Sequence, residues 1–456
     1  MARTRQADRL PPGPQAGQRI AALREAPLRF LAEMAQAYGD VTRHEADGDT
    51  VYMLFRPDLA RHVLRDNAAN YTKDRTPDDT MLRPLLGNGL LTSSGPDWAR
   101  QRRMCAPAFR RTEVEAFDEV IVQAAAGLRD SWLAAGGPGS GQAAVRVDHG
   151  LTSLTLAVIA RAMLGTDLAG IGDGFGQAVD AVNRYVGHYV PADDDAYDAA
   201  DTALRQAGYR RAKAFLDLVV RTIIAARRAG GGAGENPGTP DLLATMLQAC
   251  EELPAGELLD QILTIVMAGH ETTAKALTWT LYLLDRNPRR AAEVRAEVDR
   301  VLAGRRPAAA DLPRLEACRR AVEEAMRLYP PVWLISRRAA GPDIVDGYHV
   351  APGTLVCVSP YVLHRDPRYW DAPEEYRPER FSAALAADRP SHLYLPFGGG
   401  PRICIGQHLA MIEAVLVLAV LVQGLELTLV PGFPVEPEAL VTLRPRHGMA
   451  MTVRPR

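Results

Sequence analysis

At 456 residues, with 47% hydrophobic and 24% charged side chains, the chain has the composition of a globular protein with a large core, which excludes wholesale disorder. Its formal charge of −2 at pH 7 lacks the basic excess of a nucleic-acid binder, so small-molecule partners are expected. The five cysteines, Cys105, Cys250, Cys318, Cys357 and Cys404, form no C-x-x-C pair and suit a reducing, cytoplasmic setting.

Residues Met1 to Arg19 carry no apolar stretch of a signal peptide, and no run of about 18 apolar residues follows, so no membrane anchor is expected. Residues 1–26 read as a Pro-rich extension (Pro11, Pro12, Pro14) of a single domain filling 1–456. Leu28, Leu31, Met34 and Tyr38 fall at helical spacing, and Gly39 stops them. Val41 to His44 and Val51 to Phe55 flank Asp47-Gly48-Asp49 as a hairpin, Pro57 opens a helix through Leu64, and Asn67 to Pro96 reads as irregular. Glycine-rich connectors at Gly136 to Gly141 and Gly230 to Pro240 separate helical stretches. The polar segment from Asp193 through Gln206 lies between two apolar-periodic helices. Pro254 to Asn287 is one helical pattern closed by Pro288, roughly 50 Å long at about 1.5 Å per residue. Asp343 to Val358 and the chain from Leu425 onward read as strand and turn, which makes the protein mainly α with a minor β region.

The chemistry concentrates in Phe397-Gly398-Gly399-Gly400-Pro401-Arg402-Ile403-Cys404-Ile405-Gly406. A glycine-rich loop here delivers Cys404 to an apolar helix expected from Ile405 through Val422. The N–H groups of that helix terminus favour the thiolate and so a metal ligand. The glycines let backbone pass close to a flat object, Phe397 shields the sulfur, and Arg402 reaches an anionic group at the object's rim. Neither G-x-x-x-x-G-K-[ST] nor G-x-G-x-x-G is spelled, which argues against a phosphate cradle. A buried structural cysteine after a glycine turn is the plain alternative.

Inside the long helix, Ala268, Gly269 and Thr272 share one face at i, i+1 and i+4, a small-residue notch beside a hydroxyl that can hold a diatomic ligand near a metal. The same residues also suit close helix packing, with Thr272 bonded back to the residue 268 carbonyl. Lys275 stands four residues after Glu271 and is spaced to pair with it, while His270 lies off the notch and takes no role. Glu324 and Arg327 are spaced to pair before Pro330-Pro331, and Arg380 of Pro378-Glu379-Arg380-Phe381 can complete a buried triad. Trp98 and Arg102 fall four apart on one helical face.

Taken in chain order from Trp98 to Gly406, these motifs resemble the signatures of cytochrome P450 enzymes, above all F-x-x-G-x-R-x-C-x-G. The resemblance implies a haem b (iron protoporphyrin IX) with an axial thiolate from Cys404, lying between the long central helix and the cysteine-loop helix. It places Trp98, Arg102, Arg402 and Arg338 on the propionates, with Arg337 competing for the last position, and it makes Asp193 to Gln206 a mobile lid. Ala268 and Gly269 would form the oxygen pocket, where Thr272 meets dioxygen and Glu271 relays protons.

Electrons would come from a separate ferredoxin or flavodoxin with its reductase, drawn by exposed Arg100, Arg110 and Arg111. One oxygen atom would enter a C–H or C=C bond of a small, largely apolar molecule of secondary metabolism. Leu90, Leu91, Thr92, Ile265, Val332, Trp333, Leu334 and Ile335 are the expected substrate contacts. A peroxide-driven or rearranging haem-thiolate enzyme and a non-catalytic haem or ligand-binding protein are the other readings. The Glu271-Thr272 pair argues against the former, because oxygen activation is what needs it.

Overall fold

The computed structural model describes residues 9–14, 25–135, 143–165, 172–187, 199–229, 242–249 and 255–456. The connectors at 136–141 and 230–240 and the acidic run Asp193-Asp194-Asp195 lie outside them. The chain forms two compact units, one of Met1–Thr80 with Glu323–Ile405, the other of Met81–Val322 with Gly406–Arg456.

The first unit is built on a five-stranded sheet in the order Val41–Ala46, Asp49–Leu54, Leu355–Val358, Ile335–Ala339, Tyr71–Thr72. The first two strands form the expected hairpin. Its turn residues Asp47 (φ 49°) and Gly48 (φ 83°) are both left-handed, as a tight hairpin turn that follows the strand twist requires. Side chains alternate across the pleat. Val51, Met53, Leu355 and Cys357 therefore bury on one face, with Phe30, Leu31 and Met34 of helix Pro27–Tyr38. Tyr52, Leu54, Val356 and Val358 bury on the other, with Val63, Leu64 and Leu395. The same alternation separates two neighbours in Ile335–Ala339. Arg337 lies opposite Val356 and Arg338 opposite Leu355, so their side chains leave on opposite faces.

Two expectations are corrected here. Asn67 to Pro96 holds the short strand Tyr71–Thr72 and a helix, Pro77–Leu86, which opens on proline with Asp78 and Asp79 in its first turn. The internal Pro84 obscured that helix in the sequence. The helix from Pro57 ends at Arg61 and continues as one π turn, His62–Asp66.

The second unit is a helical assembly around the long helix Ala255–Arg286, which matches the expected span to a residue at each end. Leu258, Ile262, Leu263, Val266, Leu277 and Trp279 are each at most 1% exposed. These apolar side chains must be covered, and Val147–Leu164, Ala199–Ala229 and Gln407–Gly424 pack against the helix. Val147–Leu164 and Gln407–Gly424 are long and apolar enough by composition to cross a membrane, yet both are mostly buried within the protein and serve as core helices. Ala143–Arg146, Ala450–Pro455 and Leu425–Leu429 make a three-stranded antiparallel sheet, and Pro437–Ala439 pairs with Leu443–Pro445 as a hairpin.

Candidate active site

In the first unit the cysteine loop turns through Gly398 (φ 72°) and Gly400 (φ 67°), both left-handed. A Cβ on Gly400 would fall 1.7 Å from the Leu64 carbonyl oxygen, so a larger residue there displaces backbone. A 3₁₀ turn, Gly400–Arg402, follows, and the Cys404 N–H donates to the Phe397 carbonyl at 2.9 Å, closing the loop. Cys404 is left exposed, three residues ahead of helix Gln407–Gly424, which starts two residues later than the expected Ile405. Cys105, Cys318 and Cys357 are buried instead. Burial pushes the Cys357 thiol up to about 12 and the Cys318 thiol well above its ordinary value.

Three cations gather in this unit. Arg337 is buried on the sheet face that also holds Leu395, where the loop begins. Lys73 is buried and pairs with Asp78 at 2.5 Å. Arg402 is half-buried, and burial together with the field of Arg337 brings its guanidinium down to about 10. Burial also lowers Lys73 against the pull of Asp78, with Arg337 and Arg402 adding to the effect. Positive charge gathered out of water in this way is matched to an anionic group such as a carboxylate. Lys73 was missed in the sequence, although it is one of only three lysines in an arginine-rich chain.

Arg338, also expected on a propionate, has partners of its own, while its Nε–H is buried without one among the described residues. It makes a bidentate pair with Asp49 (2.7 and 2.8 Å) and donates to the carbonyls of Gly353 (2.8 Å) and Arg75 (2.6 Å). Arg337 is the member of the adjacent pair whose field reaches Lys73 and Arg402.

Glu324 and Arg327 are fully buried and joined by two bonds of 2.7 and 2.8 Å, and Arg380 completes the triad at 3.3 Å. Arg327 also donates to the carbonyls of His364, Pro373 and Glu375 at 2.7–3.0 Å, satisfying the donors that a buried ion pair must not leave open. His364 links this triad to the cysteine loop. Its Nδ1–H donates to the Arg327 carbonyl and its Nε2 accepts the Leu395 N–H. Burial and the nearby Arg327 and Arg365 hold its pKa well below the ordinary value, so the ring is neutral with one donor and one acceptor. A lone histidine in a turn gave no sequence signal for this role.

In the second unit Ala268 is exposed within an otherwise buried stretch of the long helix, with Gly269, Glu271 and Thr272 half-buried around it. Gly269 serves packing: a Cβ there would meet Ile159 of Val147–Leu164 at 3.0 Å. Ala268 and Thr272 are left as the notch. The Thr272 hydroxyl donates to the Ala268 carbonyl at 2.8 Å, which leaves its oxygen able to accept. Glu271 pairs with Thr442 (3.0 Å) and makes no ion pair with Lys275. His270 is fully buried, with Nδ1 on the Val266 carbonyl (2.9 Å) and Nε2 near Asn183 (3.3 Å). Trp98 and Arg102 are half-buried on helix Gly95–Cys105.

Among the expected substrate contacts, Thr92 is buried and its hydroxyl donates to the Gly87 carbonyl (2.7 Å). Leu90 and Ile265 are buried and Leu91 is half-buried. In the first unit Val332 is exposed, Trp333 and Leu334 rest against the Phe30 cluster, and Ile335 enters the sheet. Of the arginines expected to draw a partner, Arg100 pairs with Glu257 (2.6 Å) and Arg111 with Glu115 (2.7 Å), while Arg110 is exposed. An open cavity of about 480 Å³ adjoins the cysteine loop, lined by Arg65, His392, Tyr394, Gly399, Pro401 and Ile403 among others.

The cytochrome P450 family model matches residues 11–449. The chain is 35% identical over 455 residues to cyclooctatin synthase of Streptomyces melanosporofaciens, spanning 97% of this chain and 92% of that one. It is 32% identical over 428 residues to cyclooctat-9-en-7-ol 5-monooxygenase of the same organism, spanning 90% and 87%. Among solved structures it is similar to the cytochrome P450DA heme domain, with a TM-score of 0.87 and 27% identity over 98% of each chain.

Proposed function

Because the chain belongs to the cytochrome P450 family, an oxygen-incorporating oxidoreductase whose haem is held by a cysteine thiolate, we propose that Cys404 is that thiolate and that the substrate is a small apolar terpenoid of secondary metabolism. The observation that carries the assignment is the exposed Cys404 at the end of a closed glycine loop, in the same unit as the buried cations Lys73 and Arg337. These residues fit the group. Lys73, Arg337 and Arg402 would hold the propionates, Trp98 and Arg102 keep the same role, and Phe397, whose carbonyl fixes the Cys404 amide, would cover the sulfur.

The haem iron supplies the centre at which dioxygen is reduced. In the net reaction one oxygen atom enters a substrate C–H or C=C bond and the other leaves as water, with two electrons from a reductant and two protons. P450 enzymes take those electrons from partner proteins. Here a ferredoxin or flavodoxin with its reductase would dock by the cavity that Arg65 and His392 line. On the helix, Thr272 offers an acceptor beside the Ala268 notch, and Glu271 carries protons in from the half-buried side. The apolar helix on either side keeps bulk water out. Both units would act as one P450 domain over 1–456, in the cytoplasm. The terpenoid class rests on the two relatives, one named for cyclooctatin synthesis and the other for oxygenation of cyclooctat-9-en-7-ol.

The test is optical. The reduced carbonyl complex should show the red-shifted Soret band of thiolate ligation, and Cys404→Ser should lose it with the fold intact by circular dichroism. Retention of that band in Cys404→Ser would exclude Cys404 as the ligand. Cyclooctat-9-en-7-ol and other terpene alcohols should shift the ferric protein to high spin and be turned over with a surrogate ferredoxin system; a silent terpenoid series beside a responsive fatty-acid series would exclude the substrate class.

A further inference from the structure

The Thr442 hydroxyl donates to Oε1 of Glu271 at 3.0 Å, across 171 residues of sequence. A glutamate on a helix surface has three rotatable side-chain bonds, and here the ion pair that local spacing offers, to Lys275, is not made. The donor that takes its place stands on a rigid support. Thr442 is 4% exposed, at the turn between Pro437–Ala439 and Leu443–Pro445, which the Leu440 N–H closes on the Thr442 carbonyl at 3.2 Å. The next residue, Leu443, is fully buried, and its carbonyl accepts the indole N–H of Trp279 at 3.1 Å. Trp279 is itself fully buried on the long helix, two turns beyond Glu271. The hairpin turn is thus bonded to the long helix at two points, one of them the Glu271 carboxylate. Oε2, the second oxygen of that carboxylate, takes no hydrogen bond from the described residues.

We propose that Thr442 is a positioning residue for proton delivery, fixing one oxygen of Glu271 so that the other is held ready to exchange protons. The proposal rests on the reading of Glu271 as the proton-carrying acid. One anchored and one open oxygen suit a carrier: the anchor selects a single orientation, and the open oxygen gains and loses the proton without breaking it. A hydroxyl anchor also does this without the net charge that Lys275 would bring.

Thr442→Val keeps shape and removes the donor, and Thr442→Ser keeps the donor. Two readouts are compared in haem-loaded protein. The first needs no substrate: the position of the Glu271 carboxylate infrared band, taken from difference spectra against Glu271→Gln. Thr442→Val should shift that band, through the loss of one hydrogen bond to the carboxylate, and Thr442→Ser should leave it in place. The second is the share of reductant electrons recovered as hydrogen peroxide rather than product, with cyclooctat-9-en-7-ol and a surrogate ferredoxin system. The ratio of peroxide to product should rise roughly tenfold in Thr442→Val and return in Thr442→Ser. An unmoved band in Thr442→Val overturns the proposal, as does a serine variant that behaves like valine, which would assign Thr442 to packing. The two levels separate cleanly. If Glu271→Gln alone leaves the peroxide share unchanged, the acid assignment falls and the positioning role falls with it; if Glu271→Gln raises peroxide and Thr442→Val does not, only the positioning role falls.

Discussion

His364 Nε2 accepts the Leu395 N–H at 2.8 Å, two residues before Phe397, while its Nδ1–H donates to the Arg327 carbonyl at 3.2 Å. One neutral ring therefore joins the buried Glu324–Arg327 pair to the start of the cysteine loop. His364→Leu leaves a buried N–H and a buried carbonyl without that partner. At about 1–3 kcal/mol for each of the two unsatisfied groups, a loss of roughly 2–6 kcal/mol is expected, together with weaker haem retention. His364→Gln, which keeps a donor and an acceptor, should recover part of both. Urea unfolding and the haem-to-protein absorbance ratio measure the two effects, and equal losses in Leu and Gln variants would show that ring packing, not hydrogen bonding, is what matters.

The same histidine gives stability a pH dependence of defined sign. His364 and His44 are held neutral in the folded protein, His364 by burial and the nearby Arg327 and Arg365, and His44 by burial, which against the opposing field of Glu45 brings it to about 4. Their stabilising contribution is complete above about pH 6.5, where the unfolded chain is neutral as well, and is lost as pH falls toward the folded value. For His44 the loss between about 6.5 and 4 amounts to roughly 3 kcal/mol. Glu413 acts in the opposite direction. Fully buried in helix Gln407–Gly424, it is raised well above the usual carboxyl range by desolvation, so its contribution is lost as pH rises from about 4.5 toward the folded value. Two groups favouring neutral pH and one favouring acid place maximum stability near pH 6.5. Glu413→Gln should remove the decline on the alkaline side, and denaturant midpoints at pH 5, 6.5 and 8 test both signs.

What the sequence revealed is what local spacing encodes. Glycines around Cys404, small residues beside Thr272, and three-residue spacing of Glu324 and Arg327 are properties of one loop or one helix, and the structure keeps each of them together. What it concealed depends on partners brought by the fold. Arg337 and Arg338 are adjacent and chemically identical, and only the register against Leu355–Val358 decides which of them faces the cationic cluster. Glu271 has a local candidate in Lys275 and a distant partner in Thr442, and the distant one is used. Gly269 fills its packing role because Ile159, more than a hundred residues earlier, lies against it.

That register makes a paired test. Arg337→Ala removes a buried cation from the group with Lys73 and Arg402, so haem affinity should fall about 10-fold or more, while the Asp49 pair stays intact. Arg338→Ala instead opens the bidentate bond to Asp49 and two bonds to carbonyls, and the expected loss is stability, on the order of 2–3 kcal/mol, with little change in haem affinity. Haem transfer to apomyoglobin reads the first effect and urea unfolding the second. A reversed pattern would place Arg338, not Arg337, on the propionates.

Gly398 and Gly400 separate two reasons for a glycine within one loop. Both are left-handed, so alanine at either position costs about 1–2 kcal/mol in backbone conformation. At Gly398 that is nearly the whole cost, because the nearest atom to an added Cβ is Ile335 Cδ1 at 3.9 Å. At Gly400 the added carbon would lie 1.7 Å from the Leu64 carbonyl oxygen, so the loop or the π turn His62–Asp66 must move, and Leu64 lies in the core of the sheet. Gly398→Ala should therefore give haem-loaded protein with a modestly lowered melting temperature. Gly400→Ala should displace Cys404, the proposed ligand, and yield protein with little or no thiolate signature in the reduced carbonyl spectrum. Equal behaviour of the two variants would mean that backbone conformation alone, not the approach to Leu64, requires glycine at position 400.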